Sequence, residues 1–167
     1  MDPSHPVRRA QDLPISPVID SCVLIDMFDP ESPRHEVAKD LGDWLIDNRV
    51  KAFMPWTGMF ELNRVITRIR KENPNHQLSA HFTEERPIVV ERIPVDAAFF
   101  AKYFCRELPY TKAADMLFLS IAYVDKRPLV TEDNKLREAA NGAGVAVYTI
   151  VEFLKHVKGS LGRITRR

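Results

Sequence analysis

Two hydrophobic periods take turns along this chain. Short apolar runs bounded by proline, asparagine or glycine recur at residues 17–20, 52–54, 87–91, 128–131 and 145–148. Their length and their β-branched content predict buried strands. Between them, apolar positions fall three and four apart, the spacing of one helix face. Val37, Leu41, Trp44 and Leu45 predict a helix over 34–48. Met59, Leu62, Val65, Ile66 and Ile69 predict a second, capped by Thr57 and ended by Asn73-Pro74-Asn75. Shorter helices are expected over 22–28, from Val95-Asp96 through Tyr103, over 134–140 with Asn141-Gly142 as C-cap, and over 150–157. The stretch from Thr111 through Asp125 is apolar almost all round, so its helix is expected to be buried on most sides. Residues 76–86 fit neither period. Strands alternating with helices predict an α/β domain whose parallel sheet is covered on both faces.

The same pattern divides the chain. Residues 1–16, with Pro3, Pro6 and Pro14 among polar residues, read as a flexible leader. Residues 17–158 form one domain, and residues 159–167 a basic tail. There is no internal repeat. The 167 residues suffice for one domain with a core of its own.

Composition narrows the function classes. The longest apolar run, residues 116–124, is too short to span a bilayer. No secretory signal is visible at the start, so a cytoplasmic protein is expected. Cys22 and Cys105 form no CxxC pair, which fits free thiols in a reducing compartment. The five histidines show no HxH or HExxH spacing, against a zinc site. There is no Walker A loop and no GxGxxG, against nucleotide binding. A net charge of +1 does not announce nucleic acid.

Four carboxylates carry the candidate chemistry. Asp20 ends the first strand and is followed at once by a helix, where it suits either an N-cap or a ligand at the carboxyl end of a sheet strand. Glu61 lies near the start of the second long helix and borders its apolar stripe. Asp115 stands early in the most apolar helix, where its neighbours predict close packing on both sides. Asp133 follows the fourth strand and also suits an N-cap. Each has a purely structural reading. Gathered together they would repel, since two charges about 4 Å apart cost roughly 4 kcal/mol at an effective dielectric near 20. A cation would compensate them, and all-oxygen ligation without His or Cys suits a hard ion, Mg²⁺ or Mn²⁺.

The segments Asp20-Ser21-Cys22-Val23-Leu24-Ile25, Phe60-Glu61-Leu62, Ala114-Asp115-Met116-Leu117-Phe118-Leu119-Ser120-Ile121-Ala122 and Leu129-Val130-Thr131-Glu132-Asp133 resemble, in this order, those of the PIN-domain nucleases. Among these the chain is most similar to the VapC-type toxins. The resemblance implies a three-layer α/β/α fold with a five-stranded parallel sheet in the order 3-2-1-4-5. It implies a metal-dependent endoribonuclease with Asp20, Glu61, Asp115 and Asp133 at the metal site, and Ser21 and Thr131 as supporting hydroxyls. A cognate antitoxin protein and a homodimer are further expectations of the same kind. Cys22 departs from the family, where Asn or Ser is commoner. The implied reaction is phosphodiester hydrolysis, in which the cation makes a water acidic enough to ionise near neutral pH and offsets charge on the phosphate. Arg64 and Arg68 share the helix face of Glu61 and are candidate contacts to substrate phosphates. Trp56 and Tyr110 are candidates to stack bases or to join the core. Two other readings are an aspartate-nucleophile phosphatase, weakened by Cys22 at the second position of its Asp-x-Asp pattern, and a non-catalytic module binding RNA or protein.

Overall fold

The computed structural model describes residues 15–76 and 88–164, with side chains described up to residue 159. Most of the expected leader, residues 77–87 and the end of the basic tail lie outside these.

The central strand β1 (Val18–Ile19) is only two residues long. Both residues have no exposed surface. It is flanked by β2 (Ala52–Pro55) and β4 (Leu129–Val130), with β3 (Val90–Ile93) and β5 (Val147–Tyr148) at the edges. The order is β3-β2-β1-β4-β5 and every pairing is parallel, as the resemblance implied. Val18 pairs with Phe53 on one side and Leu129 on the other, and Ile19 pairs with Val130. The ladder runs one step past the strands. The Asp20 amide donates to the Val130 carbonyl at 3.0 Å, and the Thr131 amide to the Tyr148 carbonyl at 3.1 Å. The residues following β1 and β4 are therefore fixed to the sheet by their backbones.

Parallel strands need crossovers, and helices supply them. They are α1 (Ser21–Phe28), α2 (His35–Asp47), α3 (Trp56–Glu72), α4 (Ala97–Tyr103), α5 (Ala113–Val124), α6 (Asn134–Gly142) and α7 (Ile150–Ile164). The core is continuous from β1 through Met27, Leu41 and Leu45 of the first two helices to Phe118, Leu119 and Ile121 of α5 and Phe153 of α7. Three of the helices turn into the next strand by one device. After α2, α5 and α6 stand residues with positive φ: Arg49 (54°), Lys126 (55°) and Gly144 (71°). The following amides reach back across the turn, Val50 to Leu45, Arg127 to Ala122 and Val145 to Ala140, at 2.8, 3.0 and 2.9 Å. These are Schellman closures.

Several boundaries differ from the pattern reading. Pro55, not Thr57, is the N-cap of α3, because a proline is already preset for the turn and Trp56 can begin the helix. Lys112, not Thr111, precedes α5. Helix α6 runs through Gly142, and Gly144 supplies the left-handed residue instead. The third strand begins at Val90, later than expected, and α7 continues well past residue 157.

Gly58 in the first turn of α3 is required by packing. A Cβ there would lie 2.7 Å from the Met54 methyl and 2.9 Å from the Phe118 ring. Its absence lets α3 press against β2 and α5, which sets Glu61 against the sheet end where Asp20 stands.

Candidate active site

All strands point the same way, so the residues after β1, β2 and β4 gather at one edge of the sheet. Asp20 occupies the N-cap position of α1, yet its side chain makes no capping bond. Its carboxylate, in a residue only 8% exposed, turns to side-chain donors instead. Oδ2 accepts from the Thr131 hydroxyl at 2.6 Å and from the Cys22 thiol at 3.1 Å. Oδ1 lies 3.2 Å from the Ser21 hydroxyl. The structural reading of Asp20 as a cap thus fails, and a buried carboxylate held by neutral donors remains.

Thr131 is fully buried and works in both directions. It donates to Asp20 and accepts from the Asp133 amide at 3.0 Å. One hydroxyl therefore locks the strand-end acid to the loop that carries Asp133. Ser21 also joins two acids. Its hydroxyl donates to Glu61 Oε2 at 2.7 Å, the shorter of its two contacts. With a single hydrogen it serves one carboxylate at a time. Both hydroxyls therefore contact carboxylates of this group.

Asp133 behaves as the pattern allowed. It is the N-cap of α6, and Oδ1 accepts from the Lys135 amide at 2.7 Å and the Leu136 amide at 3.1 Å. Both capping bonds use the same oxygen. Asp115 is half-buried rather than closely packed, because the first turn of α5 stands at the open sheet edge while the burial of that helix begins at Phe118. Burial raises its pKa above the usual carboxylate range, and the charges of Asp133 and Asp20 raise it further. Lys112 and the Thr111 hydroxyl, 3.4 Å away, act in the opposite direction. Asp20, Asp115 and Asp133 therefore share one electrostatic environment, and Ser21 ties Glu61 to it.

None of the four acids is ion-paired with a described Lys, Arg or His. Among the described residues, no group of three or more His, Cys, Asp or Glu side chains converges closely enough to enclose a metal ion by itself. The donor set nevertheless fits a hard divalent cation: it is all oxygen, it is electron-rich, and two of its members repel a third. Mg²⁺ commonly takes one or two carboxylates directly and keeps several waters. An open arrangement of this kind suits such an ion better than a closed cage.

Cys22 is the site residue that its sequence position did not mark as useful. Its thiol donates to Asp20 and accepts from the Glu132 amide, so it is wedged between the acid and the loop after β4. Burial first, and then the charge of Asp20, raise its pKa, which keeps it a neutral donor. Both cysteines are free, as expected. Arg64 and Arg68 are exposed on α3. Trp56 is 52% exposed and packs edge-on against Phe60 at 5.3 Å, while Tyr110 is fully exposed, so neither aromatic joins the core. A recess of about 480 Å³ lies at the opposite, amino-terminal end of β4 and β5, near Arg127 and Tyr148, and contains none of the acids. Among the described residues no helix is long and apolar enough to cross a membrane.

Comparison with known proteins agrees with this fold. The family model "PIN domain" matches residues 18–142, most of the chain. No curated protein sequence matches. Among solved structures, the chain is similar to one in the crystal structure of VapBC2 from Rickettsia felis bound to a DNA fragment from their promoter. The TM-score is 0.54 at 15% identity, covering 79% of this chain and 96% of that one. At that identity the likeness concerns the fold.

Proposed function

This chain belongs to the PIN-domain family, and on that premise we propose that it is a metal-dependent endoribonuclease, the toxin of a toxin–antitoxin pair. The observation that carries the reading is the treatment of Asp20. A carboxylate at a helix N-terminus has amide donors at hand, yet this one makes no capping bond and is held by the Thr131 hydroxyl and the Cys22 thiol instead. Asp115 lies within the field of Asp20 and of Asp133, and Glu61 is one hydroxyl away from Asp20.

Asp20, Glu61, Asp115 and Asp133 would hold Mg²⁺ or Mn²⁺. When bound, the ion would supply an acidic water and offset charge on the phosphate during an in-line displacement. The chain's own residues do the rest. Thr131 and Cys22 keep one oxygen of Asp20 occupied and so orient the other. Ser21 holds Glu61 at a fixed distance from Asp20. Asp133 spends Oδ1 on α6, which leaves Oδ2 to face a cation. Arg64 and Arg68 would bind substrate phosphates beside Glu61. RNA rather than DNA as substrate, a homodimer, a cytoplasmic location and an antitoxin partner whose basic side chain enters the acid site complete the proposal. The Rickettsia felis neighbour, VapBC2 bound to a promoter DNA fragment, supports an antitoxin partner.

The test is purified protein with a mixed RNA pool and Mn²⁺, alongside Asp20→Asn and Asp115→Asn. Cleavage by the native protein alone supports the reading. Equal cleavage by all three would mean a contaminant and remove the site assignment.

A further inference from the structure

One buried carboxylate takes no part in the acid site. Asp26 of α1 is 4% exposed. Its Oδ1 accepts from the Ser32 hydroxyl at 2.6 Å and from Arg34 Nη2 at 3.2 Å, and its Oδ2 accepts from Arg34 Nε at 2.6 Å. The Arg34 fork is thus held in a fixed plane by a carboxylate with almost no access to water. A guanidinium has five N–H donors. Asp26 uses those on one edge and leaves the other edge unused. The Arg34 side chain is 45% exposed against 6% for its partner, so the pair meets solvent through Arg34.

Its place in the fold makes this useful. Arg34 lies within electrostatic reach of Glu132 and of the Cys22 thiol. Glu132 sits between Thr131 and Asp133 in the loop after β4, and Cys22 touches Asp20. Arg64 and Arg68 belong to α3, which follows β2 on the other side of β1. The acids therefore have one oriented guanidinium on the β4 side and two exposed guanidiniums on the β2 side. A polyanion crossing the site would meet cations on both flanks and the acids between them. We infer that Arg34, oriented by buried Asp26, is a phosphate-binding residue that grips a single RNA strand on the β4 flank, opposite Arg64 and Arg68.

This inference rests on the ribonuclease reading, and its test separates the two. The full chain carrying Asp115→Asn, which prevents turnover, is titrated against a short fluorescein-labelled oligouridylate over a range of salt. Arg34→Gln is expected to weaken binding about tenfold, the size of one modest hydrogen bond to a charged group. The slope of log affinity against log salt should fall by about 0.7, one phosphate contact to a single strand. Arg34→Lys should keep the slope and lose part of the affinity, because it keeps the charge and loses the fork. Asp26→Asn makes the protein more positive, yet it should not tighten binding, because it loosens the fork. Unchanged affinity and slope in Arg34→Gln would overturn the inference and leave the ribonuclease reading standing. So would tighter binding by Asp26→Asn. Should Arg34→Gln fail to fold, Arg34→Lys decides, and unaltered affinity there counts against the inference. Absence of saturable binding by the Asp115→Asn parent would remove the RNA reading itself.

Discussion

Replacing Thr131 by Val removes one hydroxyl at nearly constant shape. In the native fold that hydroxyl donates to Asp20 Oδ2 at 2.6 Å and accepts from the Asp133 amide at 3.0 Å, in a residue with no exposed surface. A hydrogen bond to a charged group contributes about 1.5–3 kcal/mol. The Cys22 thiol still donates to the same oxygen, which favours the lower end, about 1.5 kcal/mol. The orphaned Asp133 amide adds about 1–2 kcal/mol, and the extra methyl returns about 0.8 kcal/mol. The net loss is about 2–3 kcal/mol. For a chain of this size that lowers Tm by roughly 4–12 °C. Thr131→Ser keeps the hydroxyl and loses only a methyl, so it should cost about 1 kcal/mol. Thermal and urea unfolding of the metal-free proteins give the order native, Ser, Val. Manganese affinity should fall about 10–100-fold in Val and little in Ser, as for other residues that orient metal-binding groups. If Val proved as stable as the native protein, or more stable than Ser, the hydroxyl would not be what holds Asp20.

Other expectations follow from the same geometry. Asp115→Asn should abolish cleavage yet stabilise the metal-free fold at neutral pH. The raised pKa of Asp115 means that its ionised form disfavours the folded state, so the penalty is present above that pKa and is relieved as pH falls through it. The stability difference between Asn and native should therefore vanish on acidification, as chemical denaturation at several pH values would reveal; a difference that grew toward low pH would contradict it. Asp133→Asn should keep the α6 cap while weakening manganese binding, whereas Asp133→Ala should also lose about 1 kcal/mol of stability. Gly58→Ala should destabilise by about 1–3 kcal/mol, because the new methyl meets the Phe118 ring and the Met54 methyl, and a neutral result by urea melt would mean that α3 yields freely. Lys126→Gly should stabilise by about 1 kcal/mol in the same assay, since a left-handed residue is strained there unless it is glycine.

The fold was legible where hydrophobic period and breakers agreed. Val18 and Ile19 read as buried strand, and Leu62 and Phe118 as helix faces, because burial alone decides their placement. Boundaries were less legible where two residues compete for one role. Thr57 is the cap that residue type suggests, but proline's fixed backbone lets the helix begin two residues earlier, at Trp56. Asn141-Gly142 looked like a helix end, yet the Schellman closure uses Gly144 and hides its bond between Val145 and Ala140. The acids were legible as types at strand ends and helix starts. Ser21 and Thr131 entered only through the family resemblance, and the Cys22 thiol was not legible as a donor, because its contact with Asp20 and the loop after β4 appears only in the fold. Asp26 with Arg34 was invisible for the same reason: an eight-residue separation through a proline-bearing loop has no periodic signature.

The central claim is that these acids share a divalent cation, and calorimetric titration of the native protein with Mn²⁺ tests it most directly. Saturable heat is expected from the native chain and from Arg64→Gln, and should be strongly reduced in Asp20→Asn and Asp115→Asn. No heat from the folded native chain, or equal heat from all four proteins, would contradict the account.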